Sequence, residues 1–408
     1  MNTRQASSPG SNSAKLPTKI TAQFRDGDRE FLVALRRAIH QHPEISWKES
    51  ETQARLKEAL VRCEITDITE VAGTGLVARI AGRTVGGPIV AVRGDIDALP
   101  ITEATGLPFA SKHTGVMHAC GHDMHATWAI GAGMLLARDP AVGEVRLVLQ
   151  PAEEVGEGAP KVLASGMLDG VQAIFGAHVD WRYSVGEVVA DAGPLAASTD
   201  TFEIHFSGRG GHGARPQDAI DPVIALAAFV MEVQTIVSRI LDPALPGVVT
   251  VGVLHAGSAA NVIPEMARCA GTIRATTPIT RKLICDEVTR LAHGVSALHR
   301  CSATVELREG TPPLMNAPRA AQWAQDTVRR LLGDDAVRSL AVANMGGEDF
   351  AFYTERMEGC FMRIGTWREG RSRDGVHTPR FDPDEDALLV ASVLLAECAR
   401  TASAALRP

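Results

Sequence analysis

Three short apolar runs, residues 89–92, 145–149 and 171–175, each lead straight into a polar cluster. The first ends at Arg93-Gly-Asp95-Ile-Asp97, the second at Gln150-Pro-Ala-Glu153-Glu154, and the third at His178. Continuous apolar runs of this length suit strands buried on both faces. Functional groups gathered just past the carboxyl ends of such strands fit an open, mostly parallel α/β sheet flanked by helices, where ligands bind along that edge. Residues 31–40 and 50–61 show the helical spacing of apolar side chains that such a fold needs.

The texture changes near Gly193. Residues 202–206 alternate apolar and polar like a half-exposed antiparallel strand. A helical stretch over 219–241 follows, then strand-like runs at 248–254 and 268–276, a helix over 281–298 and a strand over 303–307. Two helices and four strands make a small α+β unit, one helical layer on an antiparallel sheet. The chain then returns to helix, strand and helix, with a strand at 361–364 and a closing helix over 384–404. At 408 residues it exceeds what one core usually fills. The pattern predicts a discontinuous catalytic domain, residues 21–192 and 308–408, with residues 193–307 inserted as a lid and dimerisation domain. Residues 1–20 are polar, lack the apolar core of a signal peptide and read as a disordered tail.

Composition narrows the partners. A net charge of -7 and no long basic run argue against nucleic acid. No apolar run reads as membrane-spanning; the longest candidate, 223–233, is short and contains Glu232. Seven scattered cysteines do not suggest a disulfide framework, so a reducing cytoplasm is the simplest home.

Cys120 stands apart through its neighbours, because His118-Ala-Cys120-Gly-His122-Asp-Met-His125 packs three histidines and a cysteine into eight residues. Imidazole, thiolate and carboxylate bind divalent transition metals at neutral pH. An isolated Cys-x-His would read as a buried cysteine beside a structural histidine. Here Glu153-Glu154, His178 and His377 accompany it, and the set reads as the site of a metal-dependent hydrolase. The spacing of Cys120 and His122 puts both on one side of an extended loop. Glu153 and Glu154, pointing opposite ways in extended chain, would divide into a metal ligand and a general base. His118 is either a donor behind the ligands or a structural histidine, and His125 reads as structural. Asp97 either supports a ligand histidine or caps a loop.

Gly208-Arg-Gly210-Gly-His212-Gly213 matches a dinucleotide fingerprint, but Pro216 and Pro222 fall where its helix should run, and the expected acidic residue has no place. A nicotinamide enzyme is therefore rejected. The glycines better suit a flexible loop that presents His212, an imidazole able to stabilise an oxyanion. Asn261 and Arg274, at the ends of strand-like runs in the same unit, would suit a substrate carboxylate.

Nine ordered motifs resemble the metal-dependent aminoacylase/carboxypeptidase family, in its hippurate hydrolase and indole-acetyl-amino-acid hydrolase branch. They are His42-Pro-Glu44, Arg93-Gly-Asp-Ile-Asp-Ala-Leu-Pro100, His118-Ala-Cys-Gly-His-Asp123, Gln150-Pro-Ala-Glu-Glu154, Gly176-Ala-His178, Gly211-His-Gly-Ala-Arg-Pro216, Asn261-Val-Ile-Pro264, Gly346-Gly-Glu-Asp-Phe350 and His377-Thr-Pro379. The visible departure is Gly94, where alanine would be expected. The resemblance implies two divalent ions (zinc, manganese, cobalt or nickel) held by Cys120, His122, Glu154, His178 and His377, with Cys120 bridging as thiolate. It makes Glu153 the general base and His212 the oxyanion donor, reached from the partner of a homodimer or a dimer of dimers. It gives Asn261 and Arg274 the substrate carboxylate. The implied reaction is hydrolysis of the amide of N-acyl (acetyl, benzoyl or arylacyl) amino acids. The alternative on the same machinery is a carboxypeptidase or dipeptidase, and the remote one a non-catalytic binder of amino-acid conjugates.

Overall fold

In the computed structural model, which describes residues 16–340 and 342–406, the strands Ile89–Asp95 and Val145–Gln150 lie side by side and parallel. They sit inside an eight-stranded sheet ordered Ile68–Val71, Gly75–Ile80, Val145–Gln150, Ile89–Asp95, Val171–Ser184, Glu358–Trp367, Val188–Val189 and Val337–Arg338. The four central strands are mutually parallel, and the first two pair antiparallel at one side. This is the open α/β architecture expected from the apolar runs.

Both faces of the sheet are covered. Val90 and Val92 join the core under the helices Asp28–Gln41, Ser50–Arg62, His122–Arg138, Pro318–Leu332 and Ala387–Ala405. Ala91 and Val148 face the opposite way, into a smaller core with Ala159, Val162 and Tyr353. His122–Arg138 is buried from His122 to Leu136. A helix apolar all round belongs in an interior, and it lacks the one-sided stripe that marks a surface helix in sequence.

The second sheet is antiparallel throughout, ordered Gly247–Ala256, Met266–Ala275, Asp200–Ser207 and Ser302–Arg308. Phe202, Ile204 and Phe206 alternate inward to meet Phe229, Ile284 and Val288 of the helices Pro222–Glu232 and Pro278–Leu298.

Several expectations need correction. Residues 1–15 lie outside the described residues, but Thr18–Thr21 is a helical turn rather than tail. Its Ile20 is fully buried, and the Lys19 ammonium donates to the Arg330 carbonyl at 2.7 Å. The helix expected over 219–241 is Pro222–Glu232 followed by a π-helical segment, Ile236–Ile240. Two helical stretches, Pro222–Ile240 and Ala387–Ala405, are long and apolar enough to cross a membrane by length and composition. Ala387–Ala405 owes its apolar character to its place in the core.

Candidate metal centre

The polar clusters converge at the carboxyl edge of the central strands. Asp95 closes its strand and accepts from His125 Nδ1 at 2.7 Å, while the Val179 N–H donates to His125 Nε2 at 3.0 Å. Both nitrogens of His125 are thus committed to the scaffold. Asp97, two residues on, accepts from His122 Nδ1 at 3.1 Å, from the Ser46 hydroxyl at 2.7 Å and from the Glu154 N–H at 3.0 Å. That bond fixes the His122 tautomer and leaves Nε2 bare. His118 is buried with neither ring nitrogen hydrogen-bonded. Burial holds its pKa down at about 3.

Cys120 and His122 do not share an extended loop. Gly121 takes a left-handed conformation (φ 84°) and caps the helix His122–Arg138, so His122 is already its first residue. The turn, not strand periodicity, brings thiol and imidazole together. His178 likewise sits in mid-strand, because Val171–Ser184 runs past it. Its Nδ1 donates to the Val179 carbonyl at 2.7 Å, which points an unprotonated Nε2 at the Cys120 sulfur, 3.3 Å away. His377 approaches from the other side, its Nε2 also 3.3 Å from that sulfur.

Glu153 and Glu154 are not splayed apart either. Ala152 is left-handed (φ 52°) and turns the chain, so both carboxylates face His122 Nε2, at 3.9 and 3.8 Å. Glu154 also lies 3.7 Å from His377 Nε2.

Two of the donor sets these side chains form share the Cys120 sulfur: Cys120, His122 and His178, and Cys120, Glu154 and His377. His122 also groups with Glu153 and Glu154. Ligand atoms around a four-coordinate zinc stand roughly 3.3–3.8 Å apart, given bond lengths of about 2.0–2.3 Å. The donor separations here fall close to that range. His122 Nε2 and Glu154 Oε1 are sealed from solvent without hydrogen-bond partners, which a purely structural cluster would not tolerate. The electrostatics agree. Burial, then Glu348, Asp349 and Glu154, push the Glu153 carboxyl well above its ordinary range, and burial lifts Glu154 to about 7. Burial is the largest influence on His122 and acts downward, but Asp95 and Asp97 outweigh it and hold the imidazole well above its usual value. Crowded carboxylates around imidazole and thiol suit divalent cations.

The donors open onto a cleft of about 710 Å³. One wall comes from the large sheet, with Cys120, Glu153 and His178, and the other from the second sheet, with Thr201, Arg274 and Arg308. Arg274 therefore reaches the same space as the donors. His212 and Asn261 do not line it. They sit together on the ribbon where Gly211–His212 pairs with Val262–Ile263, and both are exposed.

The description "Peptidase family M20/M25/M40" matches residues 91–401. The chain belongs to this family. It is 41% identical over 372 residues to "N-acetylcysteine deacetylase" of Bacillus subtilis, covering 90% of this chain and 96% of that one. It is 39% identical over 365 residues to "IAA-amino acid hydrolase ILR1-like 2" of Arabidopsis thaliana, covering 88% and 82%. Among solved structures it is similar to a Bacillus subtilis protein described as a dinuclear metal binding peptidase from the M20 family, with 38% identity, a TM-score of 0.80 and coverage of 91% and 97%.

This M20 chain has features around the site that sequence reasoning passed over. Arg93, fully buried, pairs with Asp95, with Asp349 at 2.8 Å and with Glu348 at 3.2 Å, while Gln150 bridges to Asp349 at 2.8 Å. The Asp349 N–H in turn donates to Glu153 at 3.4 Å. Arg363 lines the cleft from the strand Glu358–Trp367. A lone arginine amid the apolar run 360–364 was the signal available for it. Gly94 also has a reason, since a Cβ there would stand 2.5 Å from the His125 carbonyl oxygen. The helix that carries His122 packs too close to the strand for alanine.

Proposed function

We propose that this chain is a metal-dependent N-acyl-amino-acid amidohydrolase, acting through two divalent ions held by Cys120, His122, Glu154, His178 and His377, with Cys120 common to both. The observation that carries the reading is the sharing of one sulfur between two donor sets, with a second carboxylate, Glu153, beside them. The similarity to a dinuclear M20 peptidase and to acyl-amino-acid hydrolases supports it. Zinc, manganese, cobalt and nickel all suit a mixed sulfur, nitrogen and oxygen set.

Ions bound there would polarise the amide carbonyl and lower the pKa of water, from about 15.7 to near 7 in the best zinc case. Glu153 takes the proton from the attacking water. Burial and its acidic neighbours raise the affinity of this carboxylate for protons, which suits a base that must later act as acid. The same carboxyl then delivers the proton to the leaving nitrogen, so the amino acid departs as a neutral amine. Arg274 holds the α-carboxylate of the amino-acid half and aligns the carbonyl for attack. His212 and Asn261, together on the exposed ribbon, reach a partner's cleft, where His212 donates to the developing oxyanion and Asn261 to the same carboxylate.

The insertion, residues 193–307, then serves as lid and dimerisation domain on a catalytic unit formed by the flanking segments. Its outer strand Gly247–Ala256 is paired on one side only and exposes Val248, Val253 and Leu254. An apolar unpaired edge favours association with another chain. All seven cysteines are free thiols, which suits the reducing cytoplasm as the compartment.

The test is amino-acid release from N-acetyl, N-benzoyl and N-indoleacetyl amino acids beside unblocked dipeptides, on chelator-treated protein with and without added ions. Metal-dependent cleavage of the acyl set is expected. Cleavage of dipeptides alone would favour a dipeptidase, and silence across the metal-loaded panel would contradict catalysis.

A further inference from the structure

The described chain buries four arginines, Arg36, Arg93, Arg146 and Arg363. Three are neutralised within the fold: Arg36 by Asp123 at 2.7 Å, Arg93 by three carboxylates, and Arg146 by Glu144 at 2.8 Å. Arg363 is different in its charge pairing. It is 7% exposed and its Nε, like that of Arg36, is sealed from solvent with no hydrogen-bond partner, but unlike Arg36 it has, among the described residues, no carboxylate oxygen within 4.0 Å. The acidic groups that act on it are Glu348, Asp180 and Cys120, the last of which is committed to the ions under the proposed function. Glu348 already holds Arg93 at 3.2 Å, and Asp180 holds Arg182 through two bonds of 2.9 and 2.6 Å. A buried cation left without a partner is strongly unfavourable unless something else supplies the anion.

The location says what that anion belongs to. Arg363 stands opposite His178 on the neighbouring parallel strand and lines the cleft beside the donor cluster. Arg274 lines the same cleft from the other sheet. Arg182 and Arg308 line it as well but are exposed, so Arg363 is the buried guanidinium of the cleft, and a planar guanidinium matches a carboxylate in two parallel hydrogen bonds.

We propose that Arg363 receives a carboxylate on the acyl side of the scissile amide, so that the preferred substrates are half-amides of short dicarboxylic acids with an amino acid. The inference rests on the amidohydrolase reading, in which Arg274 takes the amino-acid carboxylate. A neutral acyl group leaves the buried guanidinium unpaired in the bound complex, and sites with unpaired polar groups discriminate strongly against such analogues.

The experiment compares kcat/KM for N-succinyl and N-butyryl forms of one amino acid, and N-glutaryl and N-valeryl forms, on metal-loaded wild type, Arg363→Met and Arg363→Lys. Wild type should prefer each dicarboxylic member by at least about tenfold. Arg363→Met should bring that ratio near one, chiefly through KM on the dicarboxylic member, and Arg363→Lys should retain part of it. Calorimetry with succinate and butyrate on the same proteins reads the site without turnover, and wild type should bind succinate more tightly. No preference in wild type, or an equal loss on both members in Arg363→Met, would overturn the proposal. If no N-acyl amino acid is cleaved, the amidohydrolase reading fails by itself, and succinate binding that ignores Arg363 would overturn this one separately. Should Arg363→Met fold poorly, the wild-type ratio and Arg363→Lys still decide.

Discussion

The two walls of the cleft are built on different terms. On the large sheet every histidine facing the cluster has its far nitrogen or its backbone fixed: His122 on Asp97, His178 on the Val179 carbonyl, and His377 through its N–H to the Ala119 carbonyl at 2.7 Å. The wall from the second sheet has little of this. Arg274 is half-buried and Arg308 is exposed, and on the ribbon beyond the cleft the one side-chain bond of His212 among the described residues is from the Ala214 N–H at 3.0 Å. The difference separates two jobs. Groups that hold ions must keep their geometry through every turnover, so neighbours fix them in advance. Groups that meet varying substrates, or a second chain, draw their order from that contact.

The sharpest way to break this division is at the base. Glu153→Gln should lower kcat by about 10²–10⁴-fold while metal content, read by atomic absorption, stays at the wild-type level. Loss of bound metal instead would move Glu153 among the ligands. Next in size, Asp97→Asn should weaken metal affinity by about 10–100-fold, since it removes the charge behind His122 and turns one of the two acceptor oxygens, shared among His122, Ser46 and the Glu154 N–H, into a donor. Unchanged affinity would mean the pre-set wall does not need its supports.

On the second wall, Arg274→Ala should raise KM by about 10–100-fold for substrates with a free α-carboxylate, the scale of a charge-assisted hydrogen bond. Their amides should be affected much less. An equal effect on both would remove the carboxylate role. The smallest effect concerns the pH dependence of the floor. Burial, outweighing Arg93 and reinforced by Glu348, lifts the Asp349 carboxyl to about 7. Its folded pKa exceeds the unfolded value, so the folded chain binds the extra proton between about pH 4 and 7. Wild type should therefore lose stability relative to Asp349→Asn as pH rises through that window. Thermal melts of both proteins check it, and a constant difference in Tm would contradict it.

Much of this was legible in the sequence, and the reason is physical. Apolar runs that end at charged clusters have few folds open to them, so the sheet edge and its chemistry could be read together. Local geometry could not. Gly121 and Ala152 sit in left-handed turns that bring neighbours onto one point, and alternation rules assume an extended chain. The buried helix His122–Arg138 has no polar face to give it period. Arg363 carries no signal in the strand 361–364 by itself, because what marks it is that Glu348 and Asp180 are paired elsewhere in the fold.

The most direct test of the central claim is a metal titration of chelator-treated wild type and Cys120→Ala, followed by calorimetry and by N-acetyl-amino-acid cleavage in the same samples. Two equivalents per chain with activity tracking occupancy in wild type, and impaired binding of both equivalents in Cys120→Ala, are predicted. A single equivalent in wild type, or two unperturbed ones without Cys120, would contradict a site built on a shared sulfur.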